Sequence, residues 1–516
     1  MATILACDVG TSGVKVVLTD ESGRILASRQ RSYGIQAGPG GAVDQDLDVI
    51  LAALFEASRS LVGESSARAV DAIAVTAQMF NLVPLDAAGR ALTPMLSWLD
   101  QRAAGQASRL AARYDQPAQF ERFGSIVTAK DVIPKIEWLR EERPEIWRRT
   151  AALADCKEAV VAALTGDVLI DPAGASAFRL FDPVRGSWSQ AACDAIDLPT
   201  SLLPPVRPAT AVAGHLTDEA GASMGLPSGI PVVVGAGDVP ASQIGAGATR
   251  PGDAHVSLGT AVYFGITVDR PVVDPLGQLG VLGHAEPGRW ILWLEVATGG
   301  GALNWLLRIL DASDADDPGA ATLARIDDLV GEAHDMEGLL FAPWLSGERV
   351  PVFDDRLRGA FVGLGLQHGR AHLLRAVMEG VAFQMRWALD YADGYGVRID
   401  EIRGVGGGAI GSTWTQIIAD TLGRPLLSMA SPQDATARGA AACAIVGLGL
   451  ERDMAFCRDG AIVERVHRPD PAAVEAADAG YHRYRALYEA LQPVFAATTA
   501  HAASAMPARS PDAVPA

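Results

Sequence analysis

The chain has 516 residues, of which 49% are hydrophobic and 20% are charged, and its formal net charge is -18. This composition is typical of a globular protein with two or three cores, and the negative charge argues against nucleic acid or an anionic membrane as the main partner. A cradle of backbone amides can still hold phosphate on an acidic protein, so the charge does not exclude a nucleotide.

The cysteines and the N-terminus indicate the compartment. The five cysteines are scattered and have no CxxC spacing, which suits a reducing compartment and offers no zinc site. The N-terminus has no basic leader, and no apolar run is long enough to cross a bilayer. We therefore expect a cytoplasmic protein.

The first predicted strands, 3–7 and 14–19, enclose a glycine and hydroxyl turn, DVGTSG at 8–13. A Rossmann or P-loop site needs a helix after such a turn, and neither GxGxxG nor GxxxxGK[ST] occurs in the chain. A phosphate loop inside a β-hairpin, with Asp8 ending the first strand, instead resembles the actin, hexokinase and Hsp70 superfamily. An ordinary hairpin turn remains the alternative, since Gly and Ser suit turns.

The segment 95–102 (MLSWLDQR) follows a predicted helix at 47–61 and two short strands. It places the aromatic face of Trp98, the acceptor Asp100 and the donor fork of Arg102 in one short span. A polyhydroxylated ligand needs this mixture of groups, although the start of a surface helix would contain the same residues.

Asp238 follows an apolar run that breaks on glycine. The run predicts a buried parallel strand, and the small residues after Pro240 predict a helix, so Asp238 lies on a strand-to-helix turn. Such turns open onto the ligand crevice in α/β folds. From these residues alone Asp238 is either a helix cap or a working base. Between the helix predicted at 155–164 and this turn, 171–181 is expected to be a loop.

A second domain is expected to begin near Gly252, where strands 254–258 and 262–268 flank the turn SLGT. This turn resembles the DVGTSG turn in its position between two strands. Two hairpin phosphate loops, one from each half, imply a nucleotide in a cleft between related domains.

The remaining sequence predicts a further part of the nucleotide site and a C-terminal helix. A short strand ends in three glycines at 406–408, and a helix at 413–422 follows them, which suits a nucleotide's phosphates or ribose. Asp470 is placed to cap a helix at 471–491. The Ala-, Pro- and Ser-rich residues from about Thr498 are expected to be disordered.

Several motifs together resemble the FGGY carbohydrate kinases. The spacing of Gly359, Phe361 and Gly363 with His372 and Glu379 is similar to a signature of that family. The motifs DVGTSGVK, WLDQR, GAGD, SLGT, LSGER, VGGGA and ARGAA follow in the family's order. The resemblance covers 3 to about 449, and its nearest subgroup is xylulokinase-like.

The resemblance implies an α/β fold with two RNase H-like domains and an ATP cleft between them. The first domain would span 1–249, bind the sugar and carry the catalytic base. The second domain would span 250–492 and bind the nucleotide. Residues 493–516 would form a disordered tail. The implied activity is transfer of the γ-phosphoryl group of ATP, with Mg²⁺, to a small sugar, most of all a ketopentose. A homodimer is compatible with the resemblance.

The family's roles carry over to individual positions. Asp238 corresponds to the catalytic base, which accepts the proton of the attacking hydroxyl. Asp8, with Asp238, would hold Mg²⁺. The positions implied for nucleotide contacts are Thr11, Ser12, Gly259, Thr260, Gly300, Asn304, Gly407, Gly408 and Ala409. The positions implied for acceptor contacts are Gln78, Met79, Phe80, Trp98, Asp100, Arg102, Asp238 and Val239.

Two departures from the family pattern concern the acceptor. Phe80 stands where xylulokinases carry a histidine, and Val239 where they carry an asparagine. Both replace a polar contact with an apolar one, which favours an acceptor with fewer hydroxyls, such as a deoxy-ketose or tetrulose. A kinase for gluconate or a polyol stays open, and so does an actin-like nucleotide-dependent sugar sensor.

Overall fold

The computed structural model describes residues 2–64, 69–310, 320–331, 333 and 336–505. The elements of the first half are β1 (Thr3–Val9), β2 (Gly13–Asp20), β3 (Ile25–Ser32), β4 (Gln36–Ala37), β5 (Val43–Gln45), α1 (Leu47–Glu64), β6 (Ala72–Ala77), β7 (Val83–Leu85), β8 (Met95–Leu96), α2 (Ala104–Arg113), α3 (Gln116–Phe123), α4 (Val132–Glu142), α5 (Pro144–Trp147), β9 (Ala152–Ala154), α6 (Cys156–Thr165), α7 (Pro172–Ala177), β10 (Phe181–Asp182), β11 (Ser187–Trp188), α8 (Gln190–Asp194), β12 (Val212–His215), α9 (Asp218–Met224), β13 (Pro231–Val233) and α10 (Asp238–Gly245).

The elements of the second half are β14 (Asp253–Leu258), β15 (Val262–Val268), β16 (Gly280–Gly283), β17 (Trp290–Val296), α11 (Gly300–Ile309), α12 (Ala320–Gly331), β18 (Leu340–Ala342), β19 (Ala360–Val362), α13 (Arg370–Asp393), β20 (Glu401–Val405), α14 (Ser412–Leu422), β21 (Leu426–Met429), α15 (Ala435–Gly447), α16 (Ala455–Asp459), β22 (Val463–His467) and α17 (Pro471–Ala505).

Two large sheets share one strand plan. The first has the order β12-β13-β6-β1-β2-β3 and the second β16-β17-β15-β14-β20-β21-β22. In each, the first strand pairs antiparallel with the next strand and parallel with a later one, as β1 does with β2 and β6, and β14 with β15 and β20. The shared plan confirms the prediction of two related α/β domains.

Apolar periodicity explains how the first sheet is covered. In α1 the buried apolar residues recur every three or four positions, at Leu47, Ile50, Leu54, Ala57 and Leu61. This spacing makes one apolar stripe, which packs against the strands of the first sheet. The central strands β1 and β6 are buried along nearly their whole length, as parallel pairs covered on both faces are.

The helix α15 crosses the predicted domain boundary. The boundary at 249/250 lies between α10 and β14, but α15 packs against α10, β1 and β6 of the first domain. Its buried face is lined by alanines, among them Ala437, Ala440 and Ala441, in one core with Ile4 and Ala74. Residues 435–447 therefore pack against the first domain in space, although in sequence they lie in the second half of the chain.

Two predictions need correction. The segment 171–181, predicted to be a loop, contains α7, and the Asp171 carboxylate accepts the amides of Ala173 and Gly174 at its start. The tail predicted at 493–516 is helical as far as Ala505, in α17, and residues 506–516 lie outside the described residues. Asp470 accepts the amides of Ala472 and Ala473 as predicted. Among the described residues, no helix is both long and apolar enough to span a membrane.

Candidate active site

Asp238 is the first residue of α10, and the residue at the helix cap position is Gly237. One carboxylate oxygen, Oδ1, accepts the amide of Val239 at 2.8 Å. Within the described residues the other oxygen has no hydrogen-bond partner in the protein. The cap interpretation therefore does not account for Asp238, and Oδ2 is free to accept a proton.

The turn before Asp238 lies against the end of β6. Gly235 has φ +72°, and a Cβ on it would fall 1.9 Å from the carbonyl oxygen of Val75. A Cβ on Gly237 would fall 2.4 Å from the sulfur of Met79. Only glycine allows this approach. It brings the carboxylate of Asp238 beside the predicted acceptor residues that follow β6.

The carboxylate of Asp8 disfavours the ionisation of Asp238. Burial, with the charge of Asp8, raises the pKa of Asp238 to about 7. Burial and the charge of Asp434 raise the pKa of Asp8 to about 6, although Lys15 opposes the shift. The ammonium of Lys15 is held by Asp434 Oδ1 and the carbonyl of Gln433, both at 2.9 Å. A divalent cation would relieve this repulsion.

The carboxylates of Asp8 and Asp238 are of the chemical type that Mg²⁺ binds, but they are too few to fill its coordination shell. Asp8 and Asp238 supply the hard oxygen ligands that Mg²⁺ takes. No group of three or more His, Cys, Asp or Glu side chains in the described part of the chain could hold a metal. A magnesium ion here would therefore keep ligands from water and from the phosphates of a nucleotide.

The two predicted phosphate turns occupy equivalent places in the two sheets. Thr11 and Ser12 join β1 to β2, and Gly259 and Thr260 join β14 to β15. Among the described residues, the amides of Thr11, Ser12 and Thr260 donate no backbone hydrogen bond. Free amides in a tight turn are the groups that cradle phosphate.

The other positions predicted to contact a nucleotide pack around the second turn. The amides of Gly299 and Gly300 donate to the carbonyls of Thr260 and Gly259, both at 2.8 Å. This contact places Gly300, at the start of α11, directly on the turn, and Asn304 one helical turn further along. Gly407, Gly408 and Ala409 form a short helix after β20, where a Cβ on Gly408 would meet Leu258 at 2.9 Å.

A chain of hydrogen bonds joins the first predicted phosphate turn to residues predicted to contact the sugar. Trp98 Nε1 donates to Thr11 Oγ1 at 3.0 Å, and Thr11 Oγ1 donates to Gln78 Oε1 at 3.1 Å. Gln78 is buried and donates to Gln45, which in turn donates to the Thr11 carbonyl. The predicted residues Thr11, Gln78 and Trp98 thus form one unit.

Phe80, a predicted acceptor residue, has an unusual backbone conformation and lines a cavity between the domains. Its φ is +67°, and its carbonyl accepts a hydrogen bond from the buried Lys135 at 3.0 Å. Its ring stacks on Trp293 of the second domain, with 5.5 Å between centroids, and lies under the Arg179 guanidinium. Backbone strain of this kind collects at functional sites.

Other predicted acceptor positions divide into two groups. Met79 and Val239 are buried together in an apolar cluster with Phe80 and Tyr263. Asp100 is fully buried and accepts bonds from the Val43 amide and from Arg102.

Arg102 also pairs with Asp44, and its guanidinium lies over Trp138. The structure therefore brings Phe80 and Trp98 to a cavity between the domains, with Met79 and Val239 packed in the cluster next to Phe80, whereas Asp100 and Arg102 stabilise a loop.

The sequence did not predict that residues of the second domain line a cavity next to Phe80 and Trp98. A cavity of about 200 Å³ between the domains is lined by Phe80 and Trp98 from the first domain and by Trp293, Glu295 and Arg349 from the second. Burial raises the pKa of Glu295. The alternation along β17 shows that Trp293 and Glu295 share a face, but no motif distinguishes them from core residues.

A buried cluster lies behind the turn that carries Asp238. Lys157 Nζ is 2.6 Å from Glu158 Oε1 and 3.2 Å from Asp171 Oδ1, and it donates to the Val234 carbonyl at 3.2 Å. Because the Val234 carbonyl belongs to the chain leading into the turn, the cluster anchors that turn to α6 and α7.

Comparisons with known proteins agree with this geometry. The profile of the FGGY family of carbohydrate kinases matches at 3–245 for its N-terminal domain and at 254–448 for its C-terminal domain. Xylulose kinase of Escherichia coli is 29% identical over 493 residues, covering 95% of this chain and all of the relative.

Two further proteins show how broad the likeness is. The crystal structure of xylulose kinase from Rhodospirillum rubrum has a TM-score of 0.87 and 30% identity, and covers 96% of this chain and 99% of that one. Gluconokinase of Bacillus subtilis is 25% identical and covers 81% of this chain and 82% of the relative. The likeness thus spans both domains and enzymes named for different acceptors.

Proposed function

This chain belongs to the FGGY family of carbohydrate kinases, and from that premise we propose that it transfers the γ-phosphoryl group of ATP to a hydroxyl of a ketopentose. The observation that carries the proposal is Asp238, whose carboxylate has a free oxygen at the start of α10, after the turn that lies against the end of β6, and a pKa of about 7. A base with such a pKa is half ionised near neutral pH and suits proton transfer.

In the proposed reaction the acceptor hydroxyl lies against Asp238 and attacks the γ-phosphorus. Its proton passes to Asp238 Oδ2 as the new O–P bond forms, and the bond to the β-γ bridging oxygen breaks to release ADP. The amides of Thr11, Ser12 and Thr260 would donate hydrogen bonds to phosphate oxygens. Magnesium, held by Asp8 and Asp238 with water, would neutralise charge on the phosphates.

The cavity supports a small acceptor with one apolar side. Phe80 lines the cavity and packs on the apolar cluster that contains Val239, so a pentulose hydroxyl directed at this side would lose solvent without gaining a partner, at a cost of about 1–3 kcal/mol. A deoxy-ketose or tetrulose therefore remains the second candidate. All five cysteines are unpaired thiols, which supports a cytoplasmic location.

The proposal is tested with Asp238→Ala. Loss of a positioned base should lower sugar-dependent ADP formation by roughly 10²–10⁴-fold while ATP still binds. Turnover is measured across ketoses, polyols and D-gluconate, and ATP binding by calorimetry. Turnover close to that of the wild type would contradict the role of Asp238, and slow turnover unaffected by every sugar would favour a nucleotide-dependent sensor.

A further inference from the structure

The strand β17 of the second domain lines the acceptor cavity with two of its side chains. Successive side chains of a strand point to opposite faces, so Ile291, Trp293 and Glu295 share a face. Ile291 packs with Met79 and Val239 of the first domain. The Ile291 contact fixes which face of β17 looks across the cleft, and Trp293 and Glu295 line the cavity from that face.

Glu295 is also tied to the position of the base. In the register of β15 and β17, Glu295 lies opposite Tyr263, and side chains opposite each other on paired strands are about 4.5–5.5 Å apart at Cβ. The charge of Asp238 contributes to raising the pKa of Tyr263 to about 12, so Tyr263 lies near that carboxylate. Tyr263 is thus a neighbour of both carboxylates. Glu295 lines the cavity and Asp238 lies outside its lining, so an acceptor in the cavity whose reacting hydroxyl meets Asp238 would present a more distant part to Glu295.

The carboxylate of Glu295 has no hydrogen bond or ion pair with any described residue. The indole Nε1 of its neighbour Trp293 is buried and also has no partner among them. Arg349 pairs with Asp355 at 2.6 Å, and Arg179 lies 3.5 Å from Asp131. The cavity thus offers a carboxylate acceptor and an indole donor that the protein leaves unused, while these two arginines have anionic partners.

We infer that Glu295 is a specificity-determining residue that accepts a hydrogen bond from a hydroxyl at the end of the acceptor remote from Asp238. The inference rests on the proposed function and narrows its substrate class to neutral acceptors with a hydroxyl at that end. An acceptor with a carboxylate there would bring two negative charges together, whereas a hydroxyl donates to the carboxylate directly.

The test compares Glu295→Gln with Glu286→Gln, a matched control in the connection between β16 and β17. The affinities of D-xylulose and D-gluconate are measured by titration calorimetry without ATP. Glu295→Gln should lower the affinity for D-xylulose about 10-fold or more, because a charged hydrogen-bond acceptor is lost. It should raise the affinity for D-gluconate, because a charge repulsion is removed. Glu286→Gln should change neither affinity.

The outcomes separate this inference from the proposed function. An unchanged affinity ratio in Glu295→Gln, with normal phosphorylation of D-xylulose, would overturn the role of Glu295 alone. The expected shift in affinities without phosphorylation of any sugar would support Glu295 and overturn the kinase proposal. Wild-type protein that binds neither compound would contradict both.

Discussion

Replacing Gly439 with alanine should reduce turnover although this residue contacts no substrate. Gly439 lies in α15 where it meets α10, the helix that begins with Asp238. A Cβ at this position would lie 1.8 Å from the Ala241 carbonyl oxygen, and real Cβ contacts stay above 3.0 Å. The two helices must therefore separate locally by at least about 1.2 Å. A misplacement of about 1 Å can cost on the order of 100-fold in rate.

The assay for Gly439→Ala is ADP formation at saturating ATP and sugar, with circular dichroism to confirm folding. Gly63→Ala is the matched control, because Gly63 lies in α1 and a Cβ there meets nothing within 4 Å. We expect kcat to fall about 100-fold in Gly439→Ala and to stay unchanged in the control. A folded Gly439→Ala protein with wild-type kcat would refute the argument that contact between α10 and α15 positions the base.

Two further predictions concern stability. Because the pKa of Asp238 is raised to about 7 in the folded protein, its ionisation destabilises the fold increasingly between pH about 4 and about 7. The gain in unfolding midpoint from Asp238→Asn, measured without ligands by thermal denaturation, should therefore grow over that interval and level off above it; a gain that shrinks with rising pH would contradict the assignment. Lys157→Met should lower the free energy of unfolding by about 3–5 kcal/mol, because Glu158 and Asp171 lose their buried counter-charge. Urea titration measures this, with the exposed Arg398→Met as control, and equal losses in both variants would count against the buried cluster.

The sequence predicts the chemistry-bearing turns well because their signals are local. The hairpin around DVGTSG depends on glycine and hydroxyl residues between two apolar runs, and β1 and β2 occupy the predicted places. The Asp238 turn is likewise marked by an apolar run that stops at glycine. Such features need only neighbouring residues, so one sequence is enough to find them.

The parts that failed depend on distant contacts or weak local patterns. The helix α7 consists of small residues without an apolar stripe, and its signal was the capping residue Asp171. Asp100 has the residue type of a ligand contact, but its carboxylate accepts a hydrogen bond from the amide of Val43, which begins β5 more than fifty residues earlier in the sequence. Glu295 enters the cavity only because β17 of one domain faces the other, which local periodicity does not encode.

The position of α15 determines when the first domain can finish folding during synthesis. The strands β1 and β6 leave the ribosome early, but the alanine-lined helix that covers them consists of residues 435–447. Until that segment emerges, the first sheet keeps an apolar face open to solvent and to other nascent chains. Folding of the first domain during synthesis therefore ends only after most of the second domain has been translated. For the same reason a fragment that stops at 249 is an incomplete folding unit.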